Sequence, residues 1–184
     1  IQPRLFAGWN FPKDMCNDPN QINRAYAEGV PMGSELNTKN NKKAPRFLAS
    51  ALADLGTPKH PGTPLQRLQI IKVWPGKGDQ LHQAVYDVAS GETRGQPASV
   101  NTDTCELSGQ GAMSLCAVWE DPDYNPTISA AYYARTIENP SCRHTGYACA
   151  AIKGEDRPAF CDKPSMPQQI QERAWTSPIW VPSQ

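Results

Sequence analysis

The sequence predicts a mainly β fold, an immunoglobulin-like antiparallel β-sandwich with long loops and two or three short helices. Three observations carry that expectation. Short runs alternate apolar and polar residues with the period of a strand. Eighteen prolines and 13 glycines in 184 residues divide the chain into short elements with long connections. Two alternating runs, 66–74 and 81–89, flank Pro75-Gly76-Lys77-Gly78-Asp79, which is turn chemistry, so together they read as a β-hairpin.

The elements follow in chain order. Ile1 to Phe11 reads as a strand centred on Leu5-Phe6-Ala7-Gly8-Trp9. Pro19 to Glu28 carries the best helix signal: Asp18 can cap, Pro19 takes the first helical position, Gln21 stands at the capping-box distance, and Gly29 stops the helix. A polar loop rich in lysine and asparagine follows, from Asn37 through Lys39, Asn40, Asn41, Lys42 and Lys43; it reads as a solvated loop rather than an anion site. Arg46 to Ala53 is a strand with Phe47, Ala49 and Ala51 on one face. Gln66 to Trp74 has apolar residues on both faces, as in a central covered strand or one with a bulge. Residues 90–111 read as loop, and Ala112 to Glu120 as a short helix ended by Pro122. Ser129 to Ile137 is a strand that sends Tyr132 and Tyr133 to opposite faces. Cys142 to Cys161 is a disulfide-bearing excursion, and Ser165 with Gln168 caps a short helix before a last strand, Ala174 to Val181. Pro178 confines that strand to an edge or an unpaired position.

A chain of this length suits one domain and buries roughly two-thirds of the surface its unfolded form exposes. Eighteen basic residues balance 18 acidic ones. The basic footprint of a nucleic-acid binder is therefore missing, and nucleic acid is not an expected partner. No apolar run reaches the ~20 residues of a spanning helix, so no membrane segment is expected. With neither an initiator Met nor a signal sequence at Ile1, a processed or truncated piece is expected. The six cysteines, 16, 105, 116, 142, 149 and 161, lack metal-site spacing and read as disulfides of an oxidising compartment, periplasmic or extracellular. Local closure would join Cys105 to Cys116 and Cys142 to Cys149, each pair bracketing a turn-rich stretch.

Reactive groupings are sparse. His60, His82 and His144 have no metal-ligand spacing. Asp121-Pro122-Asp123-Tyr124-Asn125 places acceptors like the first half of a calcium loop. Pro126 and Tyr132, however, replace its glycine and its bidentate glutamate, so a polar turn is expected. No serine sits in G-x-S-x-G, Gly109-Gln110-Gly111 lacks the rest of a dinucleotide fingerprint, and Asp87 with Glu92 is an unremarkable carboxylate pair. No catalytic residue and no metal ligand is assigned to this chain.

Longer motifs remain: Leu5-Phe6-Ala7-Gly8-Trp9, Gly29-Val30-Pro31-Met32-Gly33-Ser34-Glu35-Leu36, Leu68-Gln69-Ile70-Ile71-Lys72-Val73-Trp74 and Val85-Tyr86-Asp87-Val88-Ala89. They continue with Trp119-Glu120-Asp121-Pro122-Asp123-Tyr124, Tyr132-Tyr133-Ala134-Arg135, Glu138-Asn139-Pro140-Ser141-Cys142-Arg143 and Gln171-Glu172-Arg173-Ala174-Trp175-Thr176-Ser177-Pro178-Ile179-Trp180. In this order they resemble the C-terminal third of a bacterial exported family known as domain of unknown function 3604. The chain departs from that family's pattern at His144, where a tryptophan is usual.

The resemblance implies that full-length members are PHP-type metallohydrolase-like proteins, with a metal-binding barrel followed by a β-sandwich. This chain would begin after the barrel, so a divalent metal would belong to the missing N-terminal part and no cofactor to these residues. The expected function is an accessory, substrate-shaping domain of a metal-dependent hydrolase, not catalytic alone. Its partner would be the barrel or another copy of the chain. Arg135, Arg143 and Arg173 are the candidates for an anionic substrate, since a guanidinium grips phosphate or carboxylate with two bonds. Trp175 and Trp180 are candidates for core or interdomain anchors. The alternative is a free-standing extracellular binding or structural module, distinguished by exposing little apolar surface.

Overall fold

Alternation of apolar side chains builds two antiparallel sheets that face each other across one core. The computed structural model describes residues 1–39, 41, 43–59, 61–93, 96–163 and 165–184. The long strands are β1 (Gln2–Gly8), β3 (Arg46–Leu52), β4 (Leu65–Pro75), β5 (Leu81–Ser90), β8 (Ser114–Glu120) and β9 (Ala130–Glu138). Short strands fill the series: β2 (Gly29–Pro31), β6 (Ser99–Val100), β7 (Leu107–Ser108), β10 (Ser141–Cys142), β11 (Gln169–Ile170), β12 (Arg173–Trp175) and β13 (Ile179–Val181). Two helices, α1 (Gln21–Glu28) and α2 (His144–Ala151), interrupt them.

The first sheet has the order β2–β1–β3–β8 and the second β12–β9–β4–β5, with β13 also on β9. Every ladder in both is antiparallel. This is the strand arrangement of an immunoglobulin-like sandwich, with β1, β3 and β8 opposite β12/β13, β9, β4 and β5. Leu5, Phe47, Ala49 and Leu115 of the first sheet meet Leu68, Ile70, Tyr132, Ala134 and Ile179 of the second in one core. The segment after β2 closes one side: Gly33 N–H donates to Pro178 O, Leu36 N–H to Trp180 O and Trp180 N–H to Ser34 O.

β4 is the central strand of its sheet. It is buried on both faces, with Ile70 inside the core and Ile71 covered on the outer side, and it carries register shifts at Leu65/Arg67 and Leu68/Gln69. Both features agree with the two-faced apolar pattern. The outer face of the first sheet is covered too. Phe6 and Leu48 pack there with Phe11, Met15 and Ala25 of the α1 segment, and Cys16 is bonded to Cys116 on β8.

The structure corrects several local expectations. Residues 112–120 are not a helix: Leu115 and Trp119 pack into the core while β3 pairs with the whole of β8, so sheet pairing overrides the helix-forming Ala and Leu. The Asp18 capping box does not form. Gln21 N–H donates to the Asp18 carbonyl in a preceding turn, the Asp18 carboxylate takes Arg24, and α1 starts after Asn20. Gly29 ends α1 in extended backbone as the first residue of β2, and glycine is needed there because a Cβ would lie 2.3 Å from the Ala7 carbonyl oxygen on β1. Residues 165–168 form turn and extended backbone leading into β11 instead of a helix, while α2 arises inside the 142–161 excursion. The last strand is broken into β12 and β13 around Thr176–Pro178, where proline cannot donate to the ladder.

The disulfide pairing also differs from local closure. Cys16 joins Cys116, Cys105 joins Cys142 and Cys149 joins Cys161, with no free cysteine among the described residues. Cys116 points away from the core, because Leu115 beside it points inward, and it meets the α1 segment rather than Cys105. Cys105 lies beyond the β6–β7 ladder against β10.

The Cys16–Cys116 bond closes a loop of 100 residues, against 12 for Cys149–Cys161. Chain-entropy reasoning gives the longer closure the larger stabilisation, about 4–5 kcal/mol. The variant C16A/C116A is therefore expected to lower the urea midpoint more than C149A/C161A does, in parallel unfolding curves monitored by tryptophan fluorescence.

Candidate functional site

The inner face of β4 runs Leu68, Ile70, Lys72, Trp74, so the apolar alternation delivers a lysine to the end of the core. Burying an ammonium is unfavourable unless it is paired and hydrogen-bonded. Lys72 meets both conditions at the end of β8. Its Nζ lies 2.5 Å from Asp121 Oδ2, and the two side chains are 8 % and 0 % exposed. Lys72 also donates to the Asp123 carbonyl at 2.8 Å, and Tyr132 O–H donates to Asp121 Oδ2 at 2.7 Å. Asp123 N–H donates to Asp121 Oδ1 and tightens the turn that follows β8. Tyr132 stands near the start of β9 and reaches back to that turn, a variant of the tyrosine corner of such sandwiches with a carboxylate as acceptor.

Above this cluster a cleft of about 290 Å³ opens between the β4–β5 hairpin and the 121–130 connection. Trp74, Tyr86 and Ile128 give it apolar walls, and Asp123 and Asn125 line it with polar groups. Trp74 is stacked on His82 with ring centroids 5.6 Å apart, and the Lys72 ammonium lies 5.2 Å from the indole centroid. Tyr86 O–H donates to Asp123 Oδ2 at 3.1 Å. A wider groove shares Trp74 and Ile128 and continues past His82, Thr127, Ser129 and Ser183.

The tyrosines around this end hold their protons tightly. Burial, then the bond to Asp123, pushes the Tyr86 phenol up to about 12. Burial, then the bond to Asp121, pushes Tyr132 far above the ordinary tyrosine range. Burial, then the Asp121 charge, raises Tyr124. The cleft thus presents neutral phenols and one solvent-facing carboxylate, a set suited to holding a polar ligand.

A second surface lies at the opposite end of the sandwich, where β4 begins beside Ala112. Leu55, Leu52 and Met113 are 79 %, 51 % and 45 % exposed there. With Ile1, Gln2 and Ala53 they line an open groove of about 720 Å³.

The residues singled out in the sequence are scattered. Arg135 sits on the outer face of β9, where its Nε donates to Gln69 Oε1 and Gln69 Nε2 donates to Asp87 Oδ1. Arg173 shares that face as a diagonal neighbour, since Arg173 opposes Ile137 and Trp175 opposes Arg135. Arg143 belongs to neither strand; it precedes α2. None of the three makes an ion pair among the described residues. Trp175 and Trp180 are half-exposed on the β12 and β13 edge, so the core role is corrected and the anchor role remains. Glu92 accepts from Gln66 and Ala98, separate from Asp87. His82 backs Trp74, His144 is exposed at the start of α2, and His60, Asn40 and Lys42 lie outside the described residues. Asp121, first in the calcium-like stretch, is committed to Lys72 and Tyr132.

Sequence reasoning missed Lys72, Tyr86 and Asn125 as a site. The one available signal was Lys72 itself, a charge at an inward position of an apolar strand. Among the described residues no group of three His, Cys, Asp or Glu side chains is placed to hold a metal ion, and no helix is long and apolar enough to cross a membrane. The disulfide state of all six cysteines is the one an oxidising environment maintains.

One protein family, described as "Protein of unknown function (DUF3604)", matches residues 1–183. No curated protein and no solved structure matches the chain.

Raised tyrosine pKa values fix the sign of an alkaline effect. In the unfolded chain tyrosines release protons near pH 10, whereas folded Tyr86 and Tyr132 keep theirs, so the folded state binds more protons and stability falls as pH rises past that value. Urea unfolding at pH 9 and pH 11 is expected to show this loss, and Tyr132→Phe is expected to reduce the difference between the two.

Proposed function

The chain belongs to the DUF3604 family, and from that premise we propose that it is a non-catalytic accessory sandwich of a longer exported protein. It packs against the metal-binding barrel of a PHP-type hydrolase and shapes that barrel's cleft. The divalent metal and the reaction belong to the barrel, and the assembly works in the periplasm or outside the cell. Arg135, Arg143 and Arg173, none of them in an ion pair among the described residues, remain the candidate cations for an anionic substrate.

The observation that carries this reading is the apolar groove beside Ile1. Three large side chains stand out in water there, grouped on one end of the sandwich. Leu55 alone exposes most of its surface, and covering such a side chain is worth roughly 1.5–3 kcal/mol. A grouped patch of this kind marks an interaction surface, whereas singly scattered apolar residues do not. Ile1 lines the same groove, so a preceding segment would already be in place to cover it.

The test compares the natural protein with the isolated 184-residue chain by hydrogen–deuterium exchange and intact mass. Peptides covering residues 50–56 and 113–115 are expected to exchange more slowly in the natural protein, which is expected to carry sequence upstream of Ile1. Equal exchange, or a natural mass that begins at Ile1, overturns the reading. In the longer protein Leu55→Asp is expected to abolish the extra protection while leaving the β4–β5 hairpin as slow to exchange as before.

A further inference from the structure

The end of the sandwich opposite the apolar groove carries a site of its own. We propose that the cleft over Trp74 binds a neutral, polyhydroxylated ring, a single sugar residue or the terminal residue of a saccharide chain. This goes beyond the docking reading and does not depend on it.

The polar groups of the cleft are held in place with one arm left open each. Asp123 receives Tyr86 O–H on Oδ2, and its Oδ1 has no partner among the described residues. The Asn125 oxygen accepts from both the Thr127 N–H and the Thr127 hydroxyl, at 3.0 and 2.8 Å. That fixes the amide orientation and leaves the Nδ2 donor without a partner among the described residues. An acceptor and a donor two residues apart, each locked by its other atom, match a pair of neighbouring hydroxyls, since every hydroxyl both donates and accepts. A locked group loses little entropy when it binds.

The remaining wall fits the other side of such a ring. Trp74, backed by His82, and Ile128 are apolar and partly exposed, a surface for the C–H face of a pyranose. A volume of about 290 Å³ sits at the small end of the roughly 300–1,000 Å³ typical of ligand pockets and suits one ring. The adjoining groove, with Thr127, Ser129 and Ser183 along it, gives a chain room to continue past Trp74.

Charge disfavours an anion. An anion would face the Asp123 carboxylate, and the Lys72 ammonium that could compensate is already paired with Asp121 and bonded to the Asp123 carbonyl. A neutral ligand meets no such penalty, and a cation, which would meet the Asp123 carboxylate beside the paired Lys72, is the competing occupant that the titration tests.

The experiment is an NMR titration of the 184-residue chain with the methyl glycosides of glucose, galactose, mannose and N-acetylglucosamine. At least one is expected to shift the Trp74 indole N–H and the Asn125 side-chain amide in a saturable way. Asp123→Asn and Asn125→Ala, both on an exposed connection, are each expected to weaken binding by about tenfold or more. Trp175→Ala on the outer face is expected to leave it unchanged. No saturable shift with any glycoside overturns the proposal, as does binding indifferent to both cleft variants. Saturable binding of tetramethylammonium in place of the glycosides overturns it in favour of a cation site.

Discussion

A carboxylate shut away from water has to be answered by the protein, and Asp121 is answered from two strands and its own turn at once. It directly follows β8 of one sheet, takes Lys72 from β4 and Tyr132 from β9 in the other, and folds its own turn through Asp123 N–H. An ion pair this deep contributes little net stability compared with apolar packing, because desolvation offsets most of the attraction. What it does supply is geometry. Lys72 on β4, Tyr132 on β9 and the Asp123 N–H of the turn converge on the two carboxylate oxygens of Asp121 in one arrangement. The end of the sandwich is closed in that one arrangement, and the 121–130 connection is held over Trp74.

From that closure the rest of the molecule follows in layers. The inner faces of two sheets share one core, the α1 segment covers the outer face of the first sheet, and Cys16–Cys116 fastens that cover. On the outer face of the second sheet Gln69 and Ile71 of β4 are buried, Trp175 and Trp180 stand half-exposed at the edge, and Arg135, Gln69 and Asp87 form a row across it. The two ends of the sandwich differ in chemistry: grouped aliphatic side chains around Ile1, aromatic and polar side chains around Trp74. β4 joins them, a strand of 11 residues that spans roughly 35 Å at the rise of an extended chain.

Local chemistry made part of this legible. The β4–β5 hairpin could be read because turn residues stand between two alternating runs, and Phe47, Ala49 and Ala51 showed their common face through period two alone. Residues 112–120 could not be read, because Ala and Leu followed by a proline suit a helix and only the unpaired edge of β3 makes them a strand. The cystine pairs were hidden for the same reason: Cys16 and Cys116 are brought together by sheet packing, and nothing near either residue in sequence encodes it. The cleft was hidden more deeply, since its parts come from β4, β5 and the turn after β8. Lys72 was its one visible trace, a charge where the strand period demands an apolar residue.

The central claim is that Lys72 and Asp121 act as a single unit that closes the sandwich, and a double-mutant cycle measures it directly. Urea unfolding of Lys72→Met, Asp121→Asn and the double variant gives the coupling free energy. A paired unit predicts that each single change costs about 3–5 kcal/mol, because each leaves a buried partner unanswered. The double variant should then cost less than either single one. Costs that add to within about 0.5 kcal/mol would mean that the two residues are independent, and would contradict the account.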